Sequence, residues 1–137
     1  MVALSLCQLR FSQPYISLKF RDGRNLSLLY TRIVIDPDYV NELTLRIVRV
    51  NGSWPATYVS LDNRRLACLC LASRFLQLDL KVRIRECAVS YCLKSRCQYS
   101  KLLFYNSSRC KGFLVRPERG KLIGRRVIRI PPKYSKR

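Results

Sequence analysis

The stretch Ser60-Leu61-Asp62-Asn63-Arg64-Arg65-Leu66-Ala67 decides the fold of this chain. Before it, Tyr58-Val59-Ser60 has the composition of the end of a short strand. After it, apolar residues recur at helical spacing, at Leu66, Leu69 and Cys70. The change of period at Asp62 predicts a strand followed directly by a helix that runs to about Phe75.

The start of this predicted helix is a candidate phosphate site. Asp62 is well suited to cap the helix, because a carboxylate accepts hydrogen bonds from first-turn N–H groups. Asn63, Arg64 and Arg65 then fall on the first turn, where backbone donors and a partial positive charge favour an anion. The two arginines add planar forks that match phosphate oxygens. In the alternative interpretation, the arginines lie in solvent or pair with acids such as Asp62.

Net charge is the outlying feature of the composition. The chain has 137 residues, of which 48% are hydrophobic, so we expect one folded domain over residues 1–130. Residues 131–137 are predicted to be a basic disordered tail. Lys and Arg number 27 against 8 acids, which gives a net charge of +19. Such an excess attracts nucleic acid, an acidic membrane surface or acidic protein, and we expect nucleic acid or a nucleotide as the partner.

Histidine is absent from the sequence, which excludes Ser-His, Cys-His and His-metal chemistry within the chain. Three of the seven cysteines lie in apolar runs and are predicted core residues: Cys7, Cys68 and Cys70. The other four are spaced at the edge of the usual zinc pattern: Cys87, Cys92, Cys97 and Cys110. Unlinked thiols are the favoured interpretation of this group, with zinc or disulfides as alternatives, and no metal site is predicted.

The sequence also predicts where the chain resides. No apolar run approaches the length of a membrane span, and the N-terminus lacks the basic region of a signal peptide. We therefore expect an intracellular protein, in the cytoplasm or the nucleus. Glycosylation sequons occur at Asn25, Asn51 and Asn106, but they matter only in a secreted protein.

The central third of the chain carries the clearest secondary-structure signals. Leu43 to Val50 reads as a strand, and Asn51-Gly52 is a strong hairpin turn before a partner strand, Trp54 to Ser60. After the helix, Lys81 to Arg85 alternates basic and apolar residues, which predicts a strand with a basic outer face. This order places Arg64 and Arg65 at a strand-to-helix junction.

The flanking regions give weaker predictions. Ala3 to Arg10 could form a first strand, and Ser12 or Gln13 could begin a short helix with Pro14 at its first position. Asn25 could open a second short helix, and Lys111 to Arg116 resembles a short strand.

Several segments, in this order, resemble small, mostly uncharacterised proteins of the ParB/sulfiredoxin-like superfamily. The segments are Leu9-Arg10-Phe11-Ser12-Gln13, Phe20-Arg21-Asp22-Gly23-Arg24-Asn25-Leu26, Ile47-Val48-Arg49-Val50 and Ser60-Leu61-Asp62-Asn63-Arg64-Arg65-Leu66. The resemblance covers roughly residues 8–116. It implies a small single-domain α+β fold with a mixed sheet and a phosphate-binding strand-to-helix junction. At that junction the arginine motif would begin a helix and face the phosphate of a nucleotide such as a nucleoside triphosphate.

The resemblance also implies roles for single residues. Arg64 and Arg65 correspond to the arginine pair of the Gly-Glu-Arg-Arg motif with which ParB proteins contact cytidine triphosphate. Asn63 replaces the glutamate of that motif, and it also stands where sulfiredoxins carry their nucleophilic cysteine, so sulfinic-acid reduction is not expected. Auxiliary polar or basic residues of the site would come from the other matched segments, namely Ser12, Gln13 and Arg24.

Three functions of different class fit these observations. The first is a non-catalytic domain that binds a nucleotide or nucleic-acid phosphate through Asn63, Arg64 and Arg65. The second is a metal-dependent ParB-like nuclease or nucleotide hydrolase, whose carboxylates would come from Asp22, Asp36, Asp38 and Asp62. The third is a structural or interaction protein, or an inactive copy, in which the motif only stabilises the fold.

Overall fold

The computed structural model describes residues 3–11, 15–17, 19, 22–50, 57–87, 112–116 and 127–129. Within these ranges the chain forms two α-helices, α1 (Leu26–Ile35) and α2 (Asn63–Leu76). The strands there are β1 (Ala3–Ser5), β2 (Leu9–Phe11), β3 (Tyr15–Ser17), β4 (Thr44–Val50), β5 (Thr57–Ser60), β6 (Lys81–Glu86), β7 (Gly112–Arg116) and β8 (Val127–Arg129). Helical turns of the tighter 3-10 type occupy Leu6–Gln8 and Pro37–Glu42.

The main sheet has five strands in the order β1-β6-β4-β5-β2. Strand β4 pairs with β5 in antiparallel and with β6 in parallel, so the sheet is mixed. The α+β class and the mixed sheet predicted from the sequence are therefore confirmed. The predicted hairpin partner of β4 is also confirmed as β5, while the turn at residues 51–56 lies outside the described residues.

The main sheet must curl, because β1 and β2 lie at its opposite edges but are joined by only three residues. Five flat strands would place the two edges about 19 Å apart. The chain from Ser5 to Leu9 spans at most about 14 Å even when fully extended, and a 3-10 turn is shorter. The prediction of one strand from Ala3 to Arg10 is wrong: Gln8 Oε1 accepts a hydrogen bond from the Ser5 N–H at 3.1 Å, which holds the turn.

The core lies between the main sheet and the two helices. Leu45 and Ile47 of β4 and Val82 of β6 are fully buried and belong to one hydrophobic cluster with residues of α1 and α2. Helix α2 is buried at the residues whose spacing predicted it, Leu66, Leu69 and Cys70. It is also buried at Ala67, Cys68, Ala72 and Ser73. The helix is therefore fixed in the core beside α1, and its N-terminus has a defined position at the end of β5.

A second, three-stranded sheet has the order β3-β7-β8. Its strand β7 confirms the strand predicted near residues 111–116. Its strand β3 occupies Tyr15–Ser17, where a short helix beginning at Ser12 or Gln13 was predicted. That prediction is wrong, because Tyr15 and Ile16 pair in parallel with Leu114 and Val115, a distant partner that local sequence does not show. The predicted tail at residues 131–137 lies outside the described residues.

Candidate phosphate-binding site

Helix α2 begins at Asn63, one residue after Asp62, as the sequence predicted. The Asp62 side chain, however, makes no hydrogen bond to the first turn, so the prediction that it caps the helix is wrong. Its carboxylate accepts hydrogen bonds from Arg46 instead, at 2.7 Å from the backbone N–H and 2.8 Å from Nη2. A guanidinium offers an opposite charge and several donors at once, and such charge-assisted bonds are about twice as strong as neutral ones.

Further bonds hold the junction between β5 and α2 in place. The Leu61 N–H donates to the Arg46 carbonyl at 2.8 Å, and the Asp62 N–H donates to Ser60 Oγ at 3.0 Å. The Asp62 carbonyl accepts the first helical bond, from the Leu66 N–H at 3.0 Å. The helix therefore starts at a point that is tied to the strand β4 on which Arg46 lies.

The three residues predicted to bind phosphate face different surroundings. Asn63 is buried, with 6% of its surface exposed, so its side chain points into the protein. Arg64 Nη1 donates to the Lys19 carbonyl at 2.7 Å. Arg65 is exposed, and its Nη1 donates to the Thr44 carbonyl at 3.4 Å. The two guanidinium groups thus extend from the first turn of α2 toward different segments of the backbone.

The auxiliary residues are not all described. Arg24 lies in the exposed turn before α1, where its guanidinium forms an ion pair with Asp22 at 3.2 Å. The turn depends on Gly23, whose φ of +86° is one that side-chain-bearing residues rarely adopt. Ser12 and Gln13 lie outside the described residues. The structure therefore places Arg24 in its own local ion pair and leaves the other two auxiliary residues as predictions.

The four carboxylates proposed for a metal-dependent enzyme do not gather at one point. Asp22 pairs with Arg24, Asp62 pairs with Arg46, and Asp36 and Asp38 flank Pro37 after α1. Across the described ranges, no three His, Cys, Asp or Glu residues lie close enough to hold a metal ion.

The cysteines within α2 are buried, as predicted. Burial raises the pKa of the Cys68 thiol from its ordinary value of 9.0 to about 12, and burial also raises the pKa of the Cys70 thiol strongly. Both are therefore protonated and unreactive near neutral pH. Cys7 and Cys87 are partly exposed free thiols, whereas the other three members of the looser group lie outside the described residues.

Arg46 is the residue of this site that the sequence analysis missed. It lies in the middle of β4 between the buried residues Leu45 and Ile47, and its side chain is 35% exposed. Strand β4 carries two arginines, Arg46 and Arg49, and an unpaired charge beside buried residues is costly to bury. These charges within the strand were the signal in the sequence, although the sequence alone did not show that Asp62 was the partner of Arg46.

Comparison of the chain with protein-family models, with characterised proteins and with solved structures gave no match. Among the helices in the described ranges, none has the length and apolar character needed to cross a membrane.

Proposed function

We propose that this chain is a ParB/sulfiredoxin-like domain that binds a phosphate group of a nucleotide or nucleic acid at the start of α2. The observation that carries the proposal is the contact between Asp62 and Arg46. Because that contact engages and neutralises the carboxylate, Asp62 does not fill the positive end of the helix dipole. The first turn contains no acid and carries Arg64 and Arg65. A phosphate is an anion suited to this position.

The net charge of +19 supports the same proposal, since it raises the local concentration of phosphate-bearing ligands around the whole protein. A nucleoside triphosphate is the candidate ligand that the Asp-Asn-Arg-Arg motif suggests. In this arrangement Arg65 is the principal side-chain contact, because it is exposed and its bond to Thr44 is long.

A structural role is the second candidate, and the Arg64 contact favours it. The bond from Arg64 to the Lys19 carbonyl joins the start of α2 to a residue forty-five positions earlier. If the motif serves only the fold, removing Arg64 lowers the free energy of unfolding. Neither wild type nor the variant then binds a nucleoside triphosphate.

The test is nucleoside triphosphate binding by calorimetry, with and without Mg²⁺, in the intact chain. We expect Arg64→Ala/Arg65→Ala to weaken binding at least a hundredfold. The single variant Arg65→Ala should weaken it tenfold or more without a large loss of stability, because Arg65 has one long contact among the described residues. Arg64→Lys/Arg65→Lys keeps the charge but loses the planar forks, so it should fall between wild type and the alanine pair.

The matched control removes two charges from the predicted tail, Lys133→Ala/Lys136→Ala, and should leave triphosphate affinity within twofold of wild type. Thermal melts of every variant separate lost binding from lost folding. Equal small effects of both pairs would contradict the helix-start site, and so would the absence of triphosphate binding in wild-type protein at low salt.

A further inference from the structure

We propose that the outer face of β6 is a second phosphate-binding surface, which takes the backbone of a nucleic-acid strand without reading its bases. We call this surface the β6 strip and define it as Lys81, Arg83 and Arg85. The inference does not depend on nucleotide binding at the start of α2.

The alternation of β6 places all three basic side chains on one face. Val82 is fully buried and Ile84 packs against the core, so the residues between them point the other way. All three residues of the strip are exposed. Alternate residues on a strand are about 6.7 Å apart, so the three cations follow a line about 13 Å long. A line of this kind suits a linear polyanion better than a single phosphate.

The charges of the strip are not neutralised within the described part of the chain. Arg24 and Arg46 have acidic partners, but no residue of the β6 strip forms an ion pair with any residue that the structure describes. The nearby acid Asp79 is engaged by Ser5, whose Oγ donates to its Oδ1 at 2.5 Å. Glu86 follows on the alternate face of the strand. The strip therefore keeps its positive charge for an external partner.

The pairing of β6 with β4 places the strip beside the strand to which the start of α2 is bound. Arg85 is in register with Arg46, and Arg83 is in register with Thr44. The Thr44 carbonyl also accepts the hydrogen bond from Arg65. Arg46 is already paired with Asp62, so binding of the strand backbone rests on the three residues of the strip themselves.

Nucleic acid fits this surface better than a lipid bilayer does. Peripheral membrane surfaces combine basic residues with exposed apolar side chains that enter the lipid. The described large apolar residues that are exposed lie elsewhere, in α1 and at the end of α2: Leu28, Ile35, Phe75 and Leu78. The described residues of the strip face include no aromatic side chain on which a base could stack. Binding should therefore be electrostatic and independent of base sequence.

The experiment measures binding of labelled 20-nucleotide single strands and duplexes to the full chain by fluorescence anisotropy, across a salt series. The test variant is Lys81→Thr/Arg83→Thr/Arg85→Thr, which keeps strand-forming residues. The slope of log affinity against log salt should become shallower by about 2 for the single strand and just under 3 for the duplex. Strands of different base sequence should show the same affinity within threefold.

The control removes two exposed charges from α1 and α2, Arg32→Gln/Arg74→Gln. It should change the slope by less than 1. Equal slope changes in the test variant and the control, or unchanged slopes in both, would overturn the proposal. The proposal would also be overturned if the test variant lost binding to vesicles rich in anionic lipid but kept its DNA binding. That result would indicate a membrane surface.

A measurement on unmodified protein covers the case in which the triple variant does not fold. Lys81 should be protected at least fivefold from acetylation when saturating single-stranded DNA is present, as read by mass spectrometry. Equal acetylation with and without DNA would contradict the proposal.

Discussion

The two helices begin with residues of the same capping class, but the two side chains act differently. Asn25, exposed before α1, accepts a hydrogen bond from the Ser27 N–H at 2.9 Å. Asp62, before α2, makes no such bond because Arg46 holds its carboxylate. The comparison teaches that residue type fixes where a helix can begin, whereas tertiary contacts decide what the capping side chain does. The exposed Asn25 side chain bonds to its own helix. The partly buried Asp62 carboxylate bonds to the guanidinium of Arg46 instead.

The largest expected effect comes from replacing Asp62 with another good capping residue. A capping role would tolerate Asp62→Ser within a few tenths of a kcal/mol. Because the carboxylate binds Arg46, we expect Asp62→Ser to lower the free energy of unfolding by about 2 to 3 kcal/mol. The value lies below that of a fully buried pair because Arg46 is partly in solvent. Urea unfolding measures it, and a loss under about 0.5 kcal/mol would restore the capping interpretation.

A double-mutant cycle between Arg46→Ala and Asp62→Ala gives the coupling itself. Two residues in direct contact through several hydrogen bonds should show a coupling free energy of about 1 to 2 kcal/mol. If the double variant lost the sum of what the two single variants lose, the contact between Arg46 and Asp62 would contribute no coupling free energy. The matched pair Arg24→Ala and Asp22→Ala, exposed at 74% and 55%, should give less than about 0.5 kcal/mol.

Asn25 should tolerate serine, unlike Asp62, and its largest loss of unfolding free energy should be about half as great. Asn25→Ala removes a true cap and should cost about 1 kcal/mol, while Asn25→Ser should cost only a few tenths. The same urea measurement applies. If serine proved as costly as alanine at this position, the side-chain bond to Ser27 would not be the source of its stability.

The smallest effect concerns Cys68, whose thiol donates to the carbonyl of Leu26 at the start of α1. Because burial raises its pKa from 9.0 to about 12 in the folded chain, the unfolded chain loses the proton first. The stability that the protonated Cys68 thiol gives the folded chain is complete below pH 9 and declines as pH rises from 9 toward 12. Between pH 8 and pH 9 we expect the free energy of unfolding to fall further in wild type than in Cys68→Ala, by up to about half a kcal/mol. Parallel pH profiles of the two proteins would contradict this.

Much of the central fold could be predicted from sequence, because its signals are local. The apolar runs and the change of period at Asp62 located β4, α2 and β6 to within about two residues of their observed bounds. The pairing of Arg46 with Asp62 could not be located in this way, because it joins residues sixteen positions apart on different elements. The same limit explains β3, whose partner strand begins at Gly112. For the candidate site, sequence supplied the helix start and tertiary structure supplied the partner of its acid.

The three-residue link between β1 and β2 has a consequence for the order in which the chain can fold. Ala3 pairs with Arg83, eighty residues later, and Leu9 pairs with Tyr58. During synthesis the N-terminal segment emerges first, but β1 has no partner until β6 has left the ribosome. Contacts this distant in sequence slow folding, since a long loop must close before they stabilise anything. Strand β1, which precedes the other described strands in the chain, is therefore the last to join the main sheet, where it forms one edge.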